Sequence, residues 1–297
     1  MSASPGVCVT IPTKNRPEKL RRCLDSLAAA RSNRGFTVHV CDSSTDDATR
    51  QQVREVCGAH DFVDLVLHDG WNAGMARNVC TRSASEDLIV SVDDDVRVEA
   101  DAIDRLVEAY HTYPARSVVA GSVRWGGEYT AVQDGRTAIK MRRIGYGRPI
   151  EDGEAPDFLV TALFLYPRWI GLMCPWNERI PTSDDRFVGA VWRSRDVHLA
   201  WAPEARGVHD DDHVLDRFEP EQQLSHVYAN LFDAVMANPR PLRALEYEVL
   251  GFAAGLKAFG RSAAGLRHFV KAWTDGHRQL IRDRVYLREL LERPEPR

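Results

Sequence analysis

No Cys-x-x-Cys pair occurs in this 297-residue chain; its six cysteines, Cys8, Cys23, Cys41, Cys57, Cys80 and Cys174, are scattered along it. A structural zinc site is therefore not expected. Several of them lie within apolar runs, where a buried free thiol is the ordinary state, and this usage points to a reducing, cytoplasmic compartment. Long apolar runs are missing too. The most apolar stretch, Phe158 to Tyr166, is closed by Pro167 and Arg168, well short of the roughly 20 residues a membrane-spanning helix needs. The N-terminus shows no basic segment followed by a long apolar one, so no signal peptide is expected. Positive charge is not in surplus, with 39 Lys plus Arg against 43 Asp plus Glu. A nucleic-acid surface is accordingly not expected. Internal repeats and low-complexity segments are absent as well.

What is present is an ordinary globular composition, 44% hydrophobic and 28% charged, enough for a packed core in one large or two modest domains. Short apolar runs alternate with helical periodicity along the first two thirds of the chain. Val7 to Ile11 reads as a strand ended by Pro12, and Pro17 to Ala30 as a helix with Leu20, Cys23, Leu24 and Leu27 on one face. Strands at Phe36–Cys41 and Phe62–Leu67 follow, with a helix to Val56 between them and another at Met75–Ser83. Leu88 opens the next strand, Asp101–Tyr113 is helical, and Ser117–Val123 is again a strand. Strands alternating with helices at this spacing predict βαβ units and a mainly parallel sheet. Gly126 to Pro149 is irregular, which suits a hairpin or a mobile loop over a site; Phe158 to Tyr166 returns to the core, Arg186 to Arg193 is an amphipathic helix, and Leu199 to Trp201 is a short strand. From about Asp216 only helices are expected, at Leu224–Met236, Leu242–Phe259 and Ala263–Leu291.

The most informative segment is Leu88 to Val96, where Leu-Ile-Val-Ser-Val runs directly into Asp93, Asp94 and Asp95. Open α/β sheets place ligands at the carboxyl ends of such strands. Three adjacent carboxylates repel one another unless a cation or a set of donors compensates, and a hard divalent ion with oxygen ligands does so well. The plainer alternative is a solvated acidic turn. Asp184 and Asp185 open the amphipathic helix, where Asp favours the cap and the dipole. Asp210 to Asp212 and His213 read as a solvated turn.

Several of these segments together resemble a family 2 glycosyltransferase of the GT-A fold. They are Ile11-Pro12-Thr13-Lys14-Asn15-Arg16-Pro17, Val40-Cys41-Asp42-Ser43-Ser44-Thr45-Asp46, Asn72-Ala73-Gly74-Met75-Ala76-Arg77-Asn78, Val92-Asp93-Asp94-Asp95-Val96 and Ser183-Asp184-Asp185-Arg186, in the family's order and near its spacing. The resemblance covers about Val7 to His209. It implies a Rossmann-like, mainly parallel sheet flanked by helices. The catalytic domain would span about residues 1–214, with a nucleotide-sugar half to about residue 97 and an acceptor half from 98, before an all-helical extension over 215–297.

The resemblance also implies roles. Pro12 and Asp42 would receive the donor's base, Arg77 would lie near the base or phosphates, and Asp93 and Asp94 would reach the ribose or the waters of a metal. Asp95 would hold Mn²⁺ or Mg²⁺, with His209 as a further ligand. Asp185 matches the catalytic base, with Asp184 standing where the family usually has Glu, and Trp176 and Asn177 fall where the acceptor binds. The implied reaction is inverting transfer of a sugar from a nucleotide-diphosphate donor, UDP-linked, to an acceptor hydroxyl, as in a hexosyltransferase; the acceptor could be a small molecule, a glycan or a lipid-linked species. A sugar-1-phosphate nucleotidyltransferase is disfavoured, because it would open with a Gly-rich phosphate loop where this chain has Pro12 to Pro17. A catalytically degenerate binding or scaffold protein stays open as an alternative. So do a homodimer through the C-terminal helices and a peripheral membrane contact.

Overall fold

The structure is a computed structural model that describes residues 6–31, 35–70, 72–125, 135–143, 145, 147–180, 184–210, 220–259 and 262–296. At its centre lies β1 (Val7–Thr13), whose seven residues are all buried. It pairs in parallel with β2 (Thr37–Asp42) on one side and β4 (Leu88–Val92) on the other. Helix α1 (Pro17–Ala30) joins β1 to β2, and α2 (Asp47–Gly58) leads to β3 (Val63–Leu67), which extends the sheet beyond β2. Helix α3 (Ala73–Ser83) then returns the chain to β4. These are the expected βαβ units. The strand expected to stop at Pro12 instead reaches Thr13. Its pairing with β2 continues through Thr13↔Asp42, whereas its pairing with β4 ends at Thr10↔Ser91, so Pro12 sits where the strand has a partner on one side only.

Beyond β4 the sheet departs from the simple pattern. The run from Phe158 to Tyr166 divides into β9 (Phe158–Leu159) and β10 (Leu163–Pro167). β10 lies antiparallel between β4 and β6 (Ser117–Trp125), while β9 joins a small sheet with β7 (Ala138–Met141) and β8 (Gly147–Pro149). Of the two readings of Gly126 to Pro149, a hairpin or a mobile loop, the described part fits the hairpin, with β7 and β8 pairing antiparallel. The short strand expected at Leu199–Trp201 is in fact β11 (His198–His209), carried past Pro203 by a register shift between Ala202 and Arg206. Likewise the aliphatic run from Leu88 breaks at the aspartates. β4 ends at Val92, and β5 (Val96–Val98) pairs antiparallel with the end of β11 at the far edge of the sheet. The order of the eight-stranded sheet is β3-β2-β1-β4-β10-β6-β11-β5.

Two cores form around this sheet. One gathers the inner faces of α1, α2 and α4 (Ala102–His111). The other holds α5 (Arg168–Met173), α6 (Asp184–Ser194) and parts of the C-terminal helices, bringing Tyr228, Phe232, Leu287 and Leu290 against Trp176, Phe187 and Trp192. The C-terminal helices are α7 (Pro220–Phe232), α8 (Pro241–Glu246), α9 (Phe252–Phe259), α10 (Ala263–Arg282) and α11 (Arg284–Leu291). The helix expected to run unbroken from Ala263 to Leu291 is interrupted at Asp283, which is buried between α10 and α11. π-helical turns at Asp233–Ala237 and Tyr247–Gly251 interrupt the other two. All six cysteines are free and buried. Among the described residues no helix is long and apolar enough to cross a membrane.

Candidate active site

The chain leaves β1 toward β2 and β3 and returns to β4 on the other side of β1. Such a reversal of strand order opens a crevice at the carboxyl ends of the strands. Thr13 and the Asp93–Asp95 turn face each other there, joined by the Thr13 hydroxyl, which donates to Asp94 Oδ2 at 2.7 Å. Asn15 takes a left-handed backbone (φ 57°), a conformation Asn tolerates better than most residues. Its N–H donates to Ser44 Oγ at 2.9 Å, and its side-chain oxygen accepts from the Thr45 N–H at 3.0 Å. These bonds tie the turn after β1 to the turn after β2, next to Arg16.

Asp42 ends β2 and is fully buried. Its Oδ1 accepts from the Ser44 N–H at 2.8 Å and the Ser44 hydroxyl at 2.5 Å, whereas its buried Oδ2 has no hydrogen-bond partner among the described residues. An unpartnered buried carboxylate oxygen is costly and calls for an explanation, of which a ligand's donor is one. Pro12, directly before Thr13, is buried as well.

The three aspartates are compensated unequally. Asp94 and Asp95 are each 4% exposed. Arg16 reaches both, with Nη1 at 3.3 Å from Asp94 Oδ1 and 2.9 Å from Asp95 Oδ2, and Lys19 Nζ lies 3.6 Å from Asp95. Arg77, itself buried, pairs with Asp93 at 2.5 Å and lies 4.7 Å above the Trp176 ring. Even so, burial pushes the Asp94 carboxyl up to about 7. The neighbouring Asp95 adds to the rise, while Arg16 and Thr13 oppose it.

On the opposite wall, β11 brings His209 into register with Val96, the residue after Asp95. His209 Nε2 lies 3.2 Å from Asp95 Oδ1, and its ring stacks on Trp125 with centroids 5.0 Å apart. The Asp210 N–H donates to the Asp95 carbonyl at 2.7 Å. Asp210 is also no solvated turn residue: its carboxylate is nearly buried between Arg22 (2.7 Å) and Arg97 (2.6 Å). Burial alone would raise its pKa, but the two arginine hydrogen bonds outweigh it and hold the carboxyl below its usual value. Asp211, Asp212 and His213 lie outside the described residues.

Asp95 and His209 thus offer an oxygen and a nitrogen donor to one point. Among the described residues no group of three or more His, Cys, Asp or Glu side chains could hold a metal ion unaided. The donor set still fits a Mn²⁺- or Mg²⁺-like ion of the type held by one or two protein groups and otherwise by substrate phosphates and water. The weak protein share of such a site is itself the reason the ion would follow the substrate.

Asp185 stands in the first turn of α6, partly buried, with Oδ1 accepting from the Arg186 N–H at 2.7 Å. Arg186 in turn donates to the Gly145 carbonyl at 3.1 Å. The side chain of Asp184 lies outside the described residues. Trp176 and Asn177 are both buried. Trp176 meets Phe164 and Trp192 edge-on and gives its face to Arg77, so it reaches the site through that arginine. Asn78 holds the Trp176 backbone on both sides, accepting from its N–H at 2.9 Å and donating to its carbonyl at 3.0 Å. Asn177 Nδ2 donates to the Tyr228 hydroxyl at 3.3 Å, and Arg179 pairs with buried Asp283 at 2.8 Å. The 176–180 segment therefore spans from α3 to the C-terminal helices.

Arg16, Lys19, Thr13, Trp125 and Asp210 belong to the site and had no assigned role in the sequence. Only Thr13 and Arg16 carried a signal, as members of the opening motif Ile11 to Pro17.

The family model for glycosyl transferase family 2 matches residues 8–168. A search of the curated proteins finds no significant match. Among solved structures, residues 1–349 of S. aureus TarS superpose with a TM-score of 0.64 at 14% identity, over 96% of this chain and 88% of that one. The same protein in complex with UDP-GlcNAc gives 0.63 at 14% identity, over the same shares. The mannosyltransferase PcManGT from Pyrobaculum calidifontis, in complex with GDP-Man and Mn²⁺, gives 0.58 at 15% identity, over 98% of this chain and 86% of that one. These identities speak for the fold, GT-A, and the family match covers more than half of the chain. It belongs to glycosyl transferase family 2 and is a glycosyltransferase.

Proposed function

We propose that the protein transfers a sugar, with inversion, from a UDP-linked donor to an acceptor hydroxyl, assisted by a divalent cation. The observation that carries this reading is the convergence of Asp95 and His209, 3.2 Å apart, at the crevice between β1 and β4. The catalytic unit would span about residues 1–214, with the donor in the half up to about residue 97. Asp42 Oδ2, buried and unpartnered among the described residues, suits the N–H of a nucleobase. Pro12 lines the same end of β1, and Arg77 and Asp93 sit on the path from base to phosphates.

A cation held at Asp95 and His209 would act as a Lewis acid, stabilising the charge that develops on the leaving diphosphate. The chain's own residues do the rest. Arg16 and Lys19 balance the carboxylates until a cation and phosphates arrive, and Arg77 keeps Asp93 oriented. The attacking hydroxyl needs its proton taken as it bonds to the anomeric carbon, a task Asp185 can perform if the acceptor lies within hydrogen-bond reach. One base without a nucleophile gives inversion in a single displacement. The complexes of TarS with UDP-GlcNAc and of PcManGT with GDP-Man and Mn²⁺ support the donor class and the metal.

A thermal-shift screen of nucleotide sugars tests the donor reading. With Mn²⁺ and ligand at a hundred times its dissociation constant, the fold should gain about 2.7 kcal/mol. No shift with any nucleotide sugar would point to a degenerate scaffold instead.

Two variants probe the metal pocket. His209→Ala should raise the Mn²⁺ concentration for half-maximal activity on the order of tenfold. It should also narrow any preference for Mn²⁺ over Mg²⁺, since imidazole suits the former better. An unchanged metal titration would return His209 to a packing role against Trp125. Arg16→Ala removes a half-exposed cation whose pairing is worth about 1 kcal/mol after solvent screening. In the absence of donor, this variant should bind Mn²⁺ roughly fivefold more tightly. Weaker Mn²⁺ binding by calorimetry would contradict that role.

A further inference from the structure

Of the large apolar side chains left exposed among the described residues, all but Leu67 lie between Val235 and Val285. They are arranged rather than scattered. Leu242, Leu245, Val249 and Leu256 follow one another at spacings of three, four and seven along α8, its π-helical continuation and α9, so they share one helical face, and they are 36–79% exposed. The opposite face of that run is already used. Phe252 and Phe259 pack on Phe269 of α10 with ring centroids 5.5 Å apart, and Gly255 lies so close that a Cβ there would strike the same ring. The outward stripe is therefore a second apolar face, which belongs to no core among the described residues.

The adjoining helix adds charge. Arg267, Lys271 and Arg278 line one open groove on α10 beside Leu266 and Val270, together with a single carboxylate, Asp275, which pairs with Lys271 at 2.5 Å and Arg278 at 3.5 Å, so three cations face one anion there. Residues 240–282 carry eight Lys or Arg against three Asp or Glu, whereas the rest of the chain carries 31 against 40. The apolar face thus lies in a segment of net positive charge within an otherwise acidic protein.

We propose that this face, formed by α8, α9 and α10, docks on an anionic phospholipid surface, with the leucine and valine stripe in the headgroup boundary and the Arg and Lys side chains on lipid phosphates. Interfacial helices combine these two features, an apolar face and flanking cations. A second copy of the chain is the poorer occupant, because it would bring two cationic faces together.

Co-sedimentation of the full chain with vesicles tests the proposal directly. Phosphatidylcholine vesicles containing phosphatidylglycerol should bind the protein, vesicles of phosphatidylcholine alone should bind it far less, and binding should fall as salt rises. Each Lys or Arg near such a surface contributes roughly fivefold. The combined Arg267→Gln, Lys271→Gln and Arg278→Gln variant should accordingly bind on the order of a hundredfold more weakly. Leu242→Ser, Leu245→Ser and Val249→Ser together should also release the protein. All six positions are exposed, so both variants should keep the wild-type circular dichroism and melting temperature. Absence of binding to the anionic vesicles would overturn the proposal. So would binding that neither variant weakens, or a dimer in solution that the serine variant turns into a monomer.

Discussion

Asp95→Ala should lower sugar transfer by roughly 10²–10³-fold. A group that stabilises the leaving diphosphate acts mainly in the transition state, and removing one such stabiliser typically costs two to three orders of magnitude. Asp95 is also where the site's contacts meet: Arg16, Lys19, His209 and the Asp210 backbone all reach it. The fold should survive, because the substitution removes one of two buried, mutually repelling carboxylates. Circular dichroism and the melting temperature check this separately from turnover. A variant that is folded and retains wild-type turnover would remove Asp95 from the mechanism.

Asp185→Asn should leave donor affinity nearly unchanged and lower kcat by roughly 10²-fold or more, the usual worth of general-base assistance. Asparagine keeps the size of the side chain and can still accept from the Arg186 N–H, so α6 should stay in place. Only the capacity to take a proton is lost. Asp184→Asn should do less to kcat, and at the start of α6 it should act chiefly on stability through the helix cap. Steady-state kinetics on both variants decide the pair. If Asp184→Asn proved the more damaging to kcat with the fold intact, the two roles would be exchanged.

The parts of the fold legible in the sequence are those set by local pattern. β1, α1 and β2 follow from aliphatic runs and from Pro17 at a helix start, and α3 from its periodicity. The parts that were hidden depend on distant partners. Within Phe158–Tyr166 only Thr161 interrupts the apolar run, too slight a signal to mark a strand end; the break comes from β9 pairing with β7 while β10 enters the main sheet. β11 reads as ended before Pro203, yet a register shift lets the ladder resume at Arg206 and carry His209 to the site.

The site divides in the same way. The Asp93–Asp95 turn was visible because a buried strand runs straight into it. Asp210 was not, since its acidic neighbours look like a solvated turn and its partners Arg22 and Arg97 are far away in sequence. Trp176 reads from the sequence equally as a platform for a sugar ring or as a core residue, and it is packed among Phe164, Trp192 and Arg77, partners distant in the chain.

The most direct measurement is release of nucleoside diphosphate from a panel of nucleotide sugars by the purified chain, with Mn²⁺ and with EDTA. Release of UDP from at least one UDP-sugar is expected with Mn²⁺, falling to background in EDTA and by roughly 10²–10³-fold in Asp95→Ala. Full turnover in EDTA, or no release from any donor by a folded protein that holds Mn²⁺, would contradict a metal-assisted transferase.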